Sequence, residues 1–209
     1  MLIQEISEKL QAGNAAAVKE LVARALNEGI DAQVILRDGL MAGMDVIGKK
    51  FKENLIFVPQ VLMSARAMNQ GAELLKESLG NESVGCAGRV CLGTVFGDLH
   101  DIGKNLVKMM LEAKGCEVID LGVNVPADAF IKTVIEKDCQ IICASALLST
   151  TMPVMKDIVE AAKAAGIRDK VKIMVGGAPV TEEFCKSIGA DAYSLDATSC
   201  AEAALAFVK

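Results

Sequence analysis

The chain has 209 residues, enough for one large core or two small ones, and its 22 Lys+Arg against 27 Asp+Glu leave a formal net charge of -5. That charge is evenly spread, with nine basic and eleven acidic residues in 1–84 and thirteen and sixteen after them. With aromatics at only 3%, neither the cationic groove nor the stacking platform needed for nucleic acid is expected.

No uninterrupted apolar run approaches the ~20 residues of a membrane span, so no membrane partner is expected. The N-terminus, MLIQEISEKL, carries charge at helical spacing and lacks the apolar centre of a signal peptide. A cytoplasmic protein is the expectation.

The first half reads as helices only. Leu2, Ile3, Ile6 and Leu10 form one apolar stripe. After Asn14, a good N-cap, Val18, Leu21, Val22, Ala25 and Leu26 form a second, ended by Gly29. After Asp31 a third runs through Val34, Leu36, Leu40, Met41, Met44 and Ile47. A fourth starts at Pro59, suited to a first helical turn, and passes through Leu62, Ala65, Met68, Ala72, Leu75 and Leu79. Four such helices with short connections predict an antiparallel bundle over 1–84. GNESVGCAG, 80–88, reads as a linker, with 85–88 its end.

From Arg89 the period alternates. RVCLGTVF, EVIDLG, QIICASAL, KIMVGG and AYSLD are short β-branched or apolar runs. Helical patterns fall between and after them, at 101–114, 126–137, 152–165, 181–188 and 198–208. Five βα units over 89–209 predict an α/β fold: a flavodoxin-like, doubly wound, five-stranded parallel sheet.

Seven cysteines are an odd count with no CxxC pair, and several sit in apolar runs where a thiol behaves as a small buried hydrophobe. With one histidine in the chain, a Cys/His zinc site has little material.

That single histidine, His100, lies in GDLHDIGKN at the end of the first strand. In doubly wound sheets ligands bind beyond the carboxyl ends of the strands, where the winding reverses. The third strand ends in Ser145-Ala146-Leu147 and the run Ser149-Thr150-Thr151, and the fourth in Gly176-Gly177. Gly103-Lys104 is not part of a P-loop, because five residues separate Gly97 from Gly103 and Asn105 follows the lysine. GxGxxG is absent, which leaves a nicotinamide cofactor without support. A phosphoacceptor domain of the same winding would give His100 and the paired glycines no role.

Asp98-x-His100-x-x-Gly103, followed by Ser145-x-Leu147 and Gly176-Gly177, resembles the cobalamin-binding domain of corrinoid proteins. Those proteins hold the cofactor base-off, with a histidine replacing its own benzimidazole. The resemblance covers 89–209 and implies that His100 is the lower ligand of cobalt. Neutral imidazole suits such a borderline metal, and Asp98 stands where a carboxylate can fix its tautomer. The resemblance also implies a hydroxyl on that carboxylate, by position Thr151, with Ser149 and Thr150 as rivals. Gly103, Ser145, Leu147, Gly176 and Gly177 would line the slot for the nucleotide tail, with Asp101 and Ile102 beside it.

Asn54 to Met68 resembles the cap segment of cobalamin-dependent methyltransferases, methionine synthase among them. This implies that Phe57, Val58 and Leu62 cover the upper corrin face. Val58 is a poor N-cap before Pro59, so helix logic alone does not explain that start. Cap plus cobalamin domain together resemble the corrinoid methyl carriers of anaerobic systems that use methanol, methylamines, betaine or aryl ethers.

What the resemblance implies is a carrier alternating between Co(I) and methyl-Co(III), not catalytic alone. Its implied partners are a substrate-specific methyltransferase, a second methyltransferase acting on a thiol or tetrahydropterin, and a reductive activase. A cobalamin-binding sensor, or less readily a mutase small subunit, is the alternative.

Overall fold

Side-chain caps and left-handed glycines set the helices of the first half. The computed structural model describes residues 1–79 and 87–208; there α1 is Leu2–Gln11 and α2 is Ala15–Asn27. Asn14 caps α2 by accepting from the Ala17 amide at 3.1 Å, which satisfies one free N–H of the first turn. Gly13 and Gly29 take φ of +69° and +79° where the chain turns after each helix.

Asp31 caps the next element, accepting from the amides of Gln33 and Val34 at 2.8 and 3.2 Å. Three segments then run end to end: α3 (Ala32–Val34), a π-helical stretch (Ile35–Met41) and α4 (Ala42–Lys52). The backbone stays helical through both joints, so the expected third helix is continuous but locally widened.

The fourth helix, α5, is Val58–Leu79. Its start differs from the expectation that local rules could not explain it. Gln60 Oε1 accepts from the Phe57 amide at 3.0 Å, and the Phe57 carbonyl accepts from the Gln60 amide at 3.0 Å. This is half of a capping box, with Phe57 rather than Val58 in the cap position.

Ile6, Leu10, Val18, Val22, Leu40, Met44, Ile47, Val61 and Leu75 fill the bundle core. Close approach is bought by three glycines. A Cβ on Gly39 would sit 3.3 Å from Ile6, on Gly43 3.1 Å from Leu10, and on Gly71 2.9 Å from Leu40 and 3.1 Å from Val18. Leu62 and Met63 fall outside this core and are exposed.

In the second half β1 (Arg89–Thr94), β2 (Glu117–Asp120), β3 (Ile141–Ser145), β4 (Lys172–Gly176) and β5 (Ala192–Ser194) form one sheet. All pairings are parallel and the order is β2-β1-β3-β4-β5. The inner strands β1, β3 and β4 are buried almost throughout, while the edge strands β2 and β5 are mostly half-buried. The helices are α6 (Ile102–Ala113), α7 (Ala127–Lys137), α8 (Pro153–Ala164), α9 (Glu182–Ile188) and α10 (Ala197–Val208).

One core joins α7, α8 and α9 to alternate strand residues such as Cys91, Ile142, Ala144, Ile173 and Val175. Phe130 lies at its centre, and only glycine fits opposite it, since a Cβ on Gly93 would be 2.8 Å from the ring. On the other side Cys143 of β3 hydrogen-bonds Cys200 of α10. The six described cysteines are buried and unbridged, and burial pushes the Cys91 thiol up to about 12.

The chain divides into two units between Gly85 and Cys86, except that Ala113–Gly115 group with the first. Of the linker expected at 80–88, residues 80–86 lie outside the described ones. No helix among the described residues is long and apolar enough to cross a membrane.

Overpacking a close helix contact costs about 1–3 kcal/mol. Gly71→Val is expected to lower stability by that amount through collision with Leu40 and Val18. Denaturant unfolding followed by far-ultraviolet circular dichroism checks this, and an unchanged midpoint would contradict the packing described.

Candidate functional site

The strand order reverses between β1 and β3, and the segments leaving those two strands carry the unusual residues. Gly97, at φ +82°, turns the chain out of the sheet. Asp98 then points inward and is fully buried. Two residues on, the His100 side chain is 53% exposed, so buried carboxylate and accessible ring are held side by side.

An ionised carboxylate only accepts hydrogen bonds, and Asp98 is saturated with donors. Its Oδ1 takes the His100 amide at 3.0 Å and His100 Nδ1 at 2.7 Å. Its Oδ2 takes the amides of Leu147 and Leu148 at 2.7 and 3.2 Å. Thr151 Oγ1 lies 3.1 Å from Oδ2 and 2.9 Å from the Leu148 carbonyl, and its one proton serves either acceptor. Of the three candidate hydroxyls Thr151 alone is buried; Ser149 and Thr150 are exposed.

Burial alone would raise the Asp98 carboxyl. The amides of His100, Leu147 and Leu148, with the His100 ring, outweigh it and hold the group well below the usual carboxylate range. With Nδ1 donating to Asp98, the lone pair of Nε2 faces outward and is free to bind a metal.

Several supports carry no motif. Thr94 Oγ1, at the end of β1, donates to the His100 carbonyl at 2.8 Å. Asn124, after β2, accepts from the Gly97 amide at 2.8 Å through Oδ1 and donates its own amide to the Asp98 carbonyl at 3.0 Å. Lys104, in the first turn of α6, is buried; its Nζ donates to Asp120 at 2.7 and 2.8 Å and to Asn105 at 2.8 Å. Asp101 is exposed and accepts from Asn105 Nδ2 at 3.1 Å.

Register places Thr94, Ser145, Gly176 and Ser194 in one row across the C-terminal edge of the sheet. Gly177, next to that row, has φ +129°, and a Cβ there would lie 1.8 Å from the Ala146 carbonyl oxygen. Gly103 is different: its backbone is not left-handed, and a Cβ would meet nothing within 4 Å. Internal packing therefore does not account for this glycine, while close approach of a ligand would. Large apolar side chains stand exposed at the strand ends: Phe96, Leu99 (72%) and Ile102 (71%) flank His100 in sequence, Leu147 and Leu148 follow β3, and Leu195 follows β5. An imidazole nitrogen, a bare glycine and an apolar rim suit a large flat metal-bearing cofactor with a polar tail.

In the helical unit Phe57 is 66% exposed, Leu62 45% exposed and Val58 half-buried. No group of three or more His, Cys, Asp or Glu side chains able to hold a bare metal ion occurs among the described residues.

Comparison with known proteins gives two family matches, both described as a B12 binding domain, at residues 88–205 and 2–76. The chain is 44% identical over 181 residues to trimethylamine corrinoid protein 1 of Methanosarcina acetivorans, covering 86% of this chain and 84% of that one. Among solved structures it is similar to the methanol:cobalamin methyltransferase complex of Methanosarcina barkeri, with a TM-score of 0.90 and 33% identity, over 99% of this chain and 79% of that one. A cobalamin-binding protein of Desulfitobacterium hafniense gives a TM-score of 0.83 at 29% identity, over 100% and 99% of the two chains.

Gly177→Ala is expected to cost at least about 2 kcal/mol, because the alanine would need both a rare φ and displacement of the Ala146 carbonyl. Urea unfolding measures it, and a neutral result would refute the described turn. The Asp98 carboxyl gives a second expectation. Its folded pKa is depressed, so its stabilisation is complete above the unfolded value of about 3.9 and disappears as pH falls through the folded one. The stability gap between wild type and Asp98→Asn should therefore be widest near neutrality and close in acid; a gap independent of pH would contradict the carboxylate's role.

Proposed function

The chain belongs to the B12-binding protein family, and on that premise we propose that it is a corrinoid protein carrying a methyl group between two methyltransferases. The observation that carries this reading is the His100 ring, fixed through Nδ1 by buried Asp98 and presenting Nε2 where the sheet order reverses.

When bound, the cofactor's cobalt supplies a methyl-accepting nucleophile in its reduced state and a methyl donor once loaded. The protein's part is to hold and tune. His100 Nε2 would hold the cobalt, in place of the cofactor's own base. Asp98 keeps the proton on Nδ1 and so leaves the lone pair on Nε2, and Thr151 with the Leu147 and Leu148 amides keeps that carboxylate ionised.

Gly103, Ser145, Leu147, Gly176 and Gly177 form the slot for the cofactor tail, with Asp101 and Ile102 at its margin. Phe57, Val58 and Leu62 are the residues proposed to cover the methyl-bearing face. The chain itself is not catalytic alone and works in the cytoplasm. It is loaded by a substrate-specific methyltransferase, unloaded by one acting on a thiol or tetrahydropterin, and restored after oxidation by a reductive activase.

Mixed with hydroxocobalamin, the protein is expected to retain the corrinoid through gel filtration with a base-off absorption spectrum. After reduction to Co(II), the electron paramagnetic resonance spectrum should carry nitrogen splitting from one imidazole, lost in His100→Ala. Splitting unchanged by that substitution would sink the assignment of the ligand.

A further inference from the structure

The His100 segment is clamped at both ends by the end of β2 and the residues that follow it. At its start, Asn124 holds the Gly97 amide and the Asp98 carbonyl. At its end, Lys104 reaches Asp120, the last residue of β2, with both carboxylate oxygens within 2.8 Å. The Lys104 side chain is only 3% exposed and that of Asp120 20% exposed, so the pair is largely withdrawn from water.

All three protons of the Lys104 ammonium are placed, two on Asp120 and one on Asn105. Asp120 is held in turn by the Gly122 amide at 2.9 Å and by Lys108 at 3.4 Å. Burial would raise the Asp120 carboxyl, but Lys104 and the Gly122 amide hold it below its ordinary value.

A buried ion pair of this kind is a weak source of stability, because desolvating two charges offsets most of their attraction. What such a pair can fix is position, here that of the first turn of α6 against the end of β2. Gly103 is the residue before Lys104, and His100 lies four residues before it.

We propose that Lys104 and Asp120 are positioning residues for the metal ligand: their buried ion pair locks α6 so that His100 Nε2 stays aimed at the metal. This rests on the assignment of His100 as lower ligand. No hydrogen bond or ion pair joins either residue to His100, so the effect travels through the backbone of 101–103.

The test uses the full-length chain loaded with cobalamin and reduced to Co(II), read by nitrogen splitting and absorption. Lys104→Met combined with Asp120→Asn removes both charges, while the asparagine oxygen still accepts from the Gly122 amide. Lys104→Arg keeps the charge and changes the length, and serves if the double variant does not fold. The expected result is a shift toward the form without imidazole on cobalt, by about 10- to 100-fold in the double variant as for other residues that orient metal ligands, and less in Lys104→Arg. A lowered unfolding midpoint with a wild-type spectrum in the folded protein overturns the proposal, since a purely structural pair would behave so. Wild-type protein whose splitting is absent, or survives His100→Ala, overturns the ligand assignment and this inference with it. Splitting that depends on His100 but is untouched in both variants overturns this inference alone.

Discussion

A single carboxylate joins the two halves of the site. Asp98 leaves β1, and the amides and hydroxyl that satisfy it come from the segment after β3, on the other side of the point where the winding reverses. Left alone at zero exposure, that charge would be among the most expensive groups in the protein. Saturated, it becomes the pin that brings the His100 loop and the 147–151 loop together. Loss of any donor would be felt at the imidazole through one shared group.

The same carboxylate decides the chemistry of the ring. Imidazole can offer either nitrogen, and the choice follows from which one is already donating. Because Nδ1 faces Asp98, Nε2 is the nitrogen left for a metal, on a side chain that is 53% exposed. Gly177 reaches the same network from the fourth strand: its bare Cα lets Ala146 pass, and Ala146 delivers the Leu147 amide to Asp98. A glycine that reads as part of a ligand slot also sets the position of the donor row.

The five strands and their helices could be read from period alone, because inner parallel strands are continuous apolar runs and the helices between them carry 3.6-residue stripes. Asp98 and His100 stood out because a lone histidine flanked by acids lies at a strand end. Thr151 could not be separated from Ser149 and Thr150, since the phase of an irregular loop is set by tertiary contacts. Thr94 and Asn124 leave no mark: Thr94 bonds the His100 carbonyl across the bend of its own segment, and Asn124 bonds main-chain groups that the pairing of β1 with β2 brings near. The half capping box of Gln60 is present in the sequence, but phenylalanine at the cap hides the motif. Nothing in the sequence gives the depth of Lys104, because its partner Asp120 comes from the neighbouring strand β2.

The π-helical stretch Ile35–Met41 gives the third bundle helix a different kind of constraint. Each residue in an α-helix advances the azimuth by about 100°, and a π turn accommodates one residue more per turn than its flanks. Gly39 lies inside that stretch and Gly43 just beyond it, yet both meet α1, at Ile6 and Leu10. The widened turn therefore acts as a phase corrector. Deleting one residue between 35 and 41 would restore ordinary winding and leave Met44 and Ile47 facing the core they now fill, because the widened turn is what absorbs the extra residue. Length is thus forgiving inside this segment and strict outside it: one residue lost from the α-helical flanks, with no widened turn to absorb it, would rotate everything beyond it by about 100°.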